Sequence, residues 1–211
     1  MLRIWGRISS INVRKAVLAA QLLGLEFERI DAGADFGIVD TPEYKAKNPN
    51  SLVPLLDERE GEGDGFTLYE SNVIVRYLCA KHDPGGMYPL DLRARFDAER
   101  WMDWQQTTLN GAGRDAFLQL IRVPESQRQQ DLIDRSVAAS EPLWDRLDAE
   151  LSKRAFIAGD RLTMADIPLA CEAHRWQGLP LAHKPRPNLQ RWYEGLRARP
   201  AAAGVLDLPL T

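Results

Sequence analysis

Apolar and polar positions along the chain fall into two regimes. Up to about residue 80, short apolar runs alternate with stretches of helical spacing; beyond about residue 90 only the helical period remains. Leu2–Trp5 is a brief apolar run and reads as a strand. Val13, Ala16, Val17, Ala20 and Leu23 recur at helical spacing, and Gly24 is a fitting stop. Leu25–Ile30 reads as a second strand. A short helix is expected over Thr41–Ala46, with Thr41 as its cap and Pro42 in its first turn. Val53–Leu56 and Phe66–Tyr69 read as strands joined by an acidic turn, Asp57–Gly65, that holds three glycines. A helix follows, carrying Val73, Val75, Tyr77 and Leu78, with Ser71 as its N-cap. The strand–helix–strand start implies a parallel pair, and the close hairpin implies an antiparallel one. The first domain is therefore expected to hold a mixed four-stranded sheet over residues 1–82.

His82-Asp83-Pro84-Gly85-Gly86 breaks the pattern, so residues 83–89 read as a linker. Residues 90–211 then read as an all-α domain. Asp91–Leu109 is a helix with Phe96, Trp101, Trp104 and Thr108 near one face. Gly111 and Gly113 are expected to interrupt or kink it before it resumes over Asp115–Ile121. Further helices are expected over Ser126–Leu151, bent at Pro142, and over Thr163–Trp176 and Asn188–Arg197. Thr163 and Asp166 have capping-box spacing, with Asp in place of Glu or Gln. On capping alone, losing Asp166 should cost about 1 kcal/mol.

Composition changes this picture little. Net charge is -3, which gives no argument for nucleic acid as a partner. Asp57, Glu58, Glu60, Glu62 and Asp64 concentrate the acidity in the hairpin, where a solvated turn is the simplest account. Cys79 and Cys171 lie far apart within apolar helical patterns and read as buried free thiols, which suits a reducing, cytoplasmic setting. No signal peptide and no membrane-spanning run is seen. His82, His174 and His183 lack metal-ligand spacing, so no metal is expected. There is no GxSxG, and Gly61, Gly63 and Gly65 do not open a helix, which argues against a phosphate loop.

The stretch NPNSLVPLL, followed after the acidic turn by ESNVIVRYL, carries the chemistry. Glu70-Ser71 sets a carboxylate and a hydroxyl at a helix start, where the helix dipole favours anions. With IAGDRLTMADI at residues 157–167, this pattern resembles the soluble glutathione transferases, over roughly residues 1–200 and in their bacterial serine-type, theta- or nu-like branch. The resemblance implies a thioredoxin-like N-terminal domain, an all-helical C-terminal domain and a homodimer. It implies a cis Val53-Pro54 bond, pairing of the Val53 backbone with the cysteine of glutathione, and binding of the γ-glutamyl group by Glu70 and Ser71.

Glutathione, as co-substrate, must be held as its thiolate, and a hydrogen-bond donor beside the sulfur favours that form. The loop between the first strand and helix, Arg7 to Val13, has neither tyrosine nor cysteine. By resemblance Ser10 is the catalytic donor and Asn12 assists it; Ser9 is its immediate neighbour, and both serines could instead be helix caps. Many relatives place lysine or histidine just before the Val-Pro pair, where this chain has Leu52; Lys45, Lys47 or Asn50 could substitute. The second substrate is a small apolar electrophile or a disulfide, expected between the two domains. Trp104, Arg114, Phe117 and Trp176 are candidate contacts, with core packing the competing account of each. The implied activity is attack of the thiolate on the electrophile. The alternatives are glutathione-dependent disulfide reduction and a non-catalytic binding or stress-response role.

Overall fold

The computed structural model describes residues 1–59 and 65–211 of the chain, which divide into two compact units, Met1–Tyr88 and Pro89–Thr211. In the first unit, β1 (Leu2–Trp5), β2 (Phe27–Ile30), β3 (Leu55–Glu58) and β4 (Phe66–Tyr69) form one sheet in the order β2-β1-β3-β4. β1 runs parallel to β2, with Leu2 opposite Phe27. It runs antiparallel to β3, with Ile4 opposite Leu56, and β3 and β4 form the hairpin. Helices α1 (Ile11–Leu22) and α3 (Ser71–His82) pack on each other, on β1 and on β4 respectively. Ile4, Leu55, Leu56, Val13, Ala16, Ile74, Val75 and Leu78 are sealed between these elements. This is the thioredoxin-like arrangement that the order of elements predicts.

Several boundaries differ from the sequence expectation, each for a local reason. Leu25 belongs to the exit of α1, since its N–H donates to the Ala20 carbonyl at 2.9 Å, and β2 starts only at Phe27. Pro54 has no N–H to contribute, and the ladder of β3 begins after it, at Leu55. The acidic turn starts later than expected: Asp57 and Glu58 are in β3, and Asp57 is buried rather than solvated. Lys47 reaches Asp57 at 2.6 Å. Burial opposes ionisation of that carboxyl, but the Lys47 and Arg59 contacts outweigh it and hold its pKa below the ordinary range. Glu60, Glu62 and Asp64 lie outside the described residues. Thr41 caps α2 (Pro42–Lys47) as expected, accepting from the Tyr44 N–H.

The second unit holds α4 (Leu92–Trp104), α5 (Asn110–Phe117), α6 (Gln130–Leu151), α7 (Asp166–Gln177) and α8 (Pro187–Arg197). The expected break at Gly111 and Gly113 is absent. Backbone from Leu92 to Arg122 is helical throughout, and both glycines lie inside α5. The irregularity falls elsewhere, in π-helical turns at Gln105–Leu109 and Leu118–Arg122. Ser126 lies in a 3-10 turn, and α6 starts at Gln130. Before it, the Gln129 N–H is tied to the Gln119 side chain at 2.8 Å, and Arg128 donates to the carbonyls of Leu120 and Val123. Helix α7 opens at Asp166 instead of Thr163. The capping-box bond is made all the same, from the Thr163 N–H to Asp166 Oδ2 at 2.8 Å, across a turn that precedes the helix.

Candidate functional site

The loop that leaves β1 is pulled tight against the sheet. The Gly6 N–H donates to the Ile30 carbonyl at 2.7 Å and the Arg7 N–H to that of Ala32 at 3.1 Å. Gly6 sits at φ 148°, and a Cβ there would lie 2.4 Å from Val13 Cγ2 and 3.1 Å from Val53 Cβ. Only glycine lets this loop approach α1 and the Val53 segment so closely. Arg14, buried in α1, anchors the loop from below through its Nε bond to the Ile8 carbonyl at 3.0 Å.

Ser10 is the N-cap of α1, and its side chain makes no capping bond. Among the described residues, neither its hydroxyl nor that of Ser9 has a partner within the protein. The Ser10 hydroxyl is therefore uncommitted at the positive end of a helix of twelve residues, which is where a donor to an anion would be placed. Asn12, on the first turn, is engaged: its Oδ1 accepts from the Ser71 hydroxyl at 3.2 Å.

That bond goes with a shifted helix start, because Ser71 is not the N-cap of α3. Ser71 is the first residue of α3, and Glu70 is the N-cap, at φ 71° and ψ 108°. β4 ends at Tyr69, and the chain turns sharply at Glu70, so the serine enters the helix with its hydroxyl turned to Asn12. Ser71 is buried, whereas the Glu70 carboxylate is exposed and has no partner among the described residues. The left-handed backbone at a glutamate is uncommon, and such positions concentrate where function holds them.

Asn12, Asn48, Asn50, Leu52, Val53, Pro54, Tyr69, Glu70 and Ser71 line one cleft. The structure thus brings together the predicted glutathione-binding residues except Ser9, and it adds Asn48 and Tyr69, which the sequence reading missed. Ser9 and Ser10 lie outside this lining, in the loop beside Asn12. The Val53-Pro54 peptide is cis. Among the described residues no hydrogen bond engages the Val53 N–H or carbonyl, so this edge can pair with an extended peptide. Leu52 is exposed, but its carbonyl is fixed by Tyr44 Oη at 2.7 Å and Asn48 Nδ2 at 2.8 Å. Burial pushes the Tyr44 phenol up to about 12, so it remains a donor. Asn48 was legible only as part of the NPN run; its role comes from folding back on Leu52.

Of the three residues that could replace a cation at position 52, two are occupied elsewhere. Lys45 pairs with Asp40 at 3.2 Å, and Lys47 is bound to the buried Asp57. Asn50 is the one that lines the cleft. Among the described residues, no cluster of three or more His, Cys, Asp or Glu side chains could hold a metal ion.

Two of the four candidate contacts for a second substrate line separate cavities. Trp104 borders a cleft of about 230 Å³ with Arg100, Trp101, Arg146 and Glu150. Trp176 is buried, stacks on Trp144 at 5.9 Å between centroids, and lines a separate cavity with His183 and Leu189. For Trp176 core packing is the better account. Arg114 is exposed and free of partners among the described residues. Phe117 is half-buried, with the Arg122 and Arg175 guanidinium groups over its ring at 5.7 and 5.4 Å.

Comparison with known proteins agrees with the geometry. Residues 9–81 match the family model described as the N-terminal domain of glutathione S-transferase, and residues 113–200 match its C-terminal domain. Glutathione S-transferase GstB of Escherichia coli is 41% identical over 211 residues, covering 100% of both chains. A theta class glutathione S-transferase of Xanthomonas axonopodis pv. citri, solved with glutathione bound, superposes with a TM-score of 0.92. It is 40% identical, covering 100% of this chain and 99% of its own. A glutathione transferase of Burkholderia graminis, solved with two glutathione molecules per subunit, gives a TM-score of 0.85 at 27% identity, covering 99% and 88%.

Proposed function

The chain belongs to the glutathione S-transferase family, and on that premise we propose that it binds glutathione in the Val53–Ser71 cleft and activates its thiol for attack on a small apolar electrophile. The observation that carries this reading is the uncommitted Ser10 hydroxyl at the start of α1, beside a cleft built for an extended peptide. The Val53 N–H and carbonyl offer a donor and an acceptor to the cysteinyl backbone. The Glu70 carboxylate takes the ammonium of the γ-glutamyl group, and the start of α3 takes its carboxylate. Asn50 meets the glycine end as a neutral hydrogen-bonding group. Ser10 donates to the sulfur and lowers the cost of its ionisation. Asn12 is held by Ser71 and orients the loop. The electrophile is met by residues of the long helix, Trp104, Arg114 and Phe117.

Titration calorimetry tests the cleft. Glu70→Ala and Ser71→Ala should each weaken glutathione binding about ten- to a hundred-fold, from ~1.5–3 kcal/mol per charge-assisted bond. Unchanged affinity in both variants, with the fold intact, removes the cleft from glutathione binding.

A second reading, glutathione-dependent disulfide reduction, is favoured by Asn12 in the thiol loop and needs no protein cysteine. Cys79 and Cys171 are both buried, and burial pushes the Cys79 thiol up to about 12. Side-by-side turnover of a chloronitroaromatic and a small mixed disulfide separates the two reactions. The reduced cysteines also support a cytoplasmic setting; among the described residues no helix is long and apolar enough to cross a membrane.

A homodimer completes the proposal. Leu90, Leu92 and Phe96 are 62%, 61% and 65% exposed at the start of the helical unit, and Phe66 and Val73 are exposed in the first. Leu92 and Phe96 lie one turn apart on α4, and large exposed apolar side chains so placed mark an interaction face. Phe96→Glu should shift the molecule toward monomer in light scattering. A dimer of undiminished strength would exclude that face.

A further inference from the structure

The helical run from Leu92 to Arg122 conceals a change of register. Gln105–Leu109 is a single π-helical turn between α4 and α5. Such a turn carries one residue more than the α-helix, and it turns everything after it by roughly 100° about the axis. It is less stable than regular helix, so it persists where neighbouring groups hold it.

Here both ends are held by one pair of residues on α7. Gln105, fully buried at the start of the π-turn, donates from Nε2 to Glu172 Oε2 at 2.7 Å. Asn110, directly after its end, accepts from the Arg175 guanidinium at its side-chain oxygen at 2.9 Å and at its carbonyl at 3.3 Å. Glu172 and Arg175 are paired with each other, and their side chains are only 3% and 8% exposed. The same guanidinium covers Phe117 two turns further on. A buried ion pair is weak evidence for stability, because desolvation offsets its attraction. What this pair supplies is a rigid two-ended grip on the irregular turn.

We propose that Glu172 and Arg175 are positioning residues for the acceptor-binding face of the long helix. They keep the π-turn, and the π-turn sets the direction of Arg114 and Phe117 relative to Trp104. This rests on the reading that those side chains meet the electrophile. If the turn relaxed to regular helix, Arg114 and Phe117 would swing away while the first unit's cleft stayed as it is. The pair therefore governs acceptor recognition and leaves glutathione binding alone.

Steady-state kinetics on the full-length enzyme, varying each substrate in turn, provides the test. The acceptor probe is chlorodinitrobenzene or hydroxyethyl disulfide, whichever the wild type turns over faster. Gln105→Met removes the bond at one end and Asn110→Ala the side-chain bond at the other, neither leaving a buried charge unpaired; Glu172→Gln removes the charge that pairs with Arg175. Each should raise KM for the acceptor ~5–10-fold, with KM for glutathione within about twofold of wild type. Lower melting temperatures with an unchanged acceptor KM would show a purely structural pair and overturn the inference. Arg114→Ala and Phe117→Ala separate the two levels. If these alter acceptor KM and the grip variants do not, the positioning role fails and the acceptor face stands. If neither set alters it, the acceptor face is elsewhere, and the inference falls with it.

Discussion

Asp166→Ala is expected to lose about 3–5 kcal/mol of stability, several times the cost of a lost helix cap. Asp166 is fully buried, and its two oxygens serve three separate segments. Oδ1 accepts from the Ile157 N–H at 3.0 Å and from Trp192 Nε1 at 2.8 Å; Oδ2 accepts from the Thr163 N–H and hydroxyl. Truncation leaves two backbone donors and an indole N–H buried without an acceptor, at ~1–3 kcal/mol each before relaxation. Burial pushes the carboxyl above the ordinary range, and its hydrogen bonds act against that rise. Thermal unfolding should show a midpoint lower by roughly 10 °C or more. A loss near 1 kcal/mol would mean that the Ile157 and Trp192 bonds contribute little. Activity per folded molecule should be retained, because the bonds of Asp166 all lie within the helical unit.

Ser10→Ala is expected to lower turnover about ten- to a hundred-fold while glutathione affinity changes little. A hydrogen bond to a charged sulfur contributes ~1.5–3 kcal/mol, and one pKa unit corresponds to about 1.4 kcal/mol. The bond favours the thiolate and so lowers the thiol pKa by roughly one to two units from a free-thiol value near ~8.5. Removing it raises the pKa by the same amount. The acidic limb of the pH–rate profile should accordingly move upward in Ser10→Ala, with the two enzymes converging at high pH. If Ser10→Ala keeps its full rate and Asn12→Ala or Ser9→Ala loses it, the donor is assigned to the wrong residue.

Much of this was legible because local patterns and long-range order agreed. The short apolar runs and the order strand–helix–strand specify the sheet topology, and Val53-Pro54 with Glu70-Ser71 specify most of the cleft lining. What stayed hidden depended on contacts between distant residues. Nothing in the sequence near Asp57 distinguishes it from its acidic neighbours; its burial follows from Lys47 reaching it from α2. Ser71 has the residue type of a helix cap, but Glu70 turns the chain first and gives the hydroxyl to Asn12. Gly111 and Gly113 looked like breaks, since glycine weakens helices. The long helix absorbs them, because Gly113 faces Ser140 and Trp176, whereas the irregular turn at Gln105 is held by α7. Asp166 showed its capping spacing and concealed its bonds to Ile157 and Trp192, which come from nine residues before and twenty-six after.

The central claim is that Ser10 stabilises the glutathione thiolate in the cleft between Val53 and Ser71. Its most direct measurement is a pH titration of thiolate absorbance for glutathione bound to the wild type and to Ser10→Ala. The wild-type complex should titrate about one to two units below free glutathione, and Ser10→Ala should return to within a few tenths of the free value. An equal, depressed pKa in both proteins, or no depression in the wild type, would contradict it.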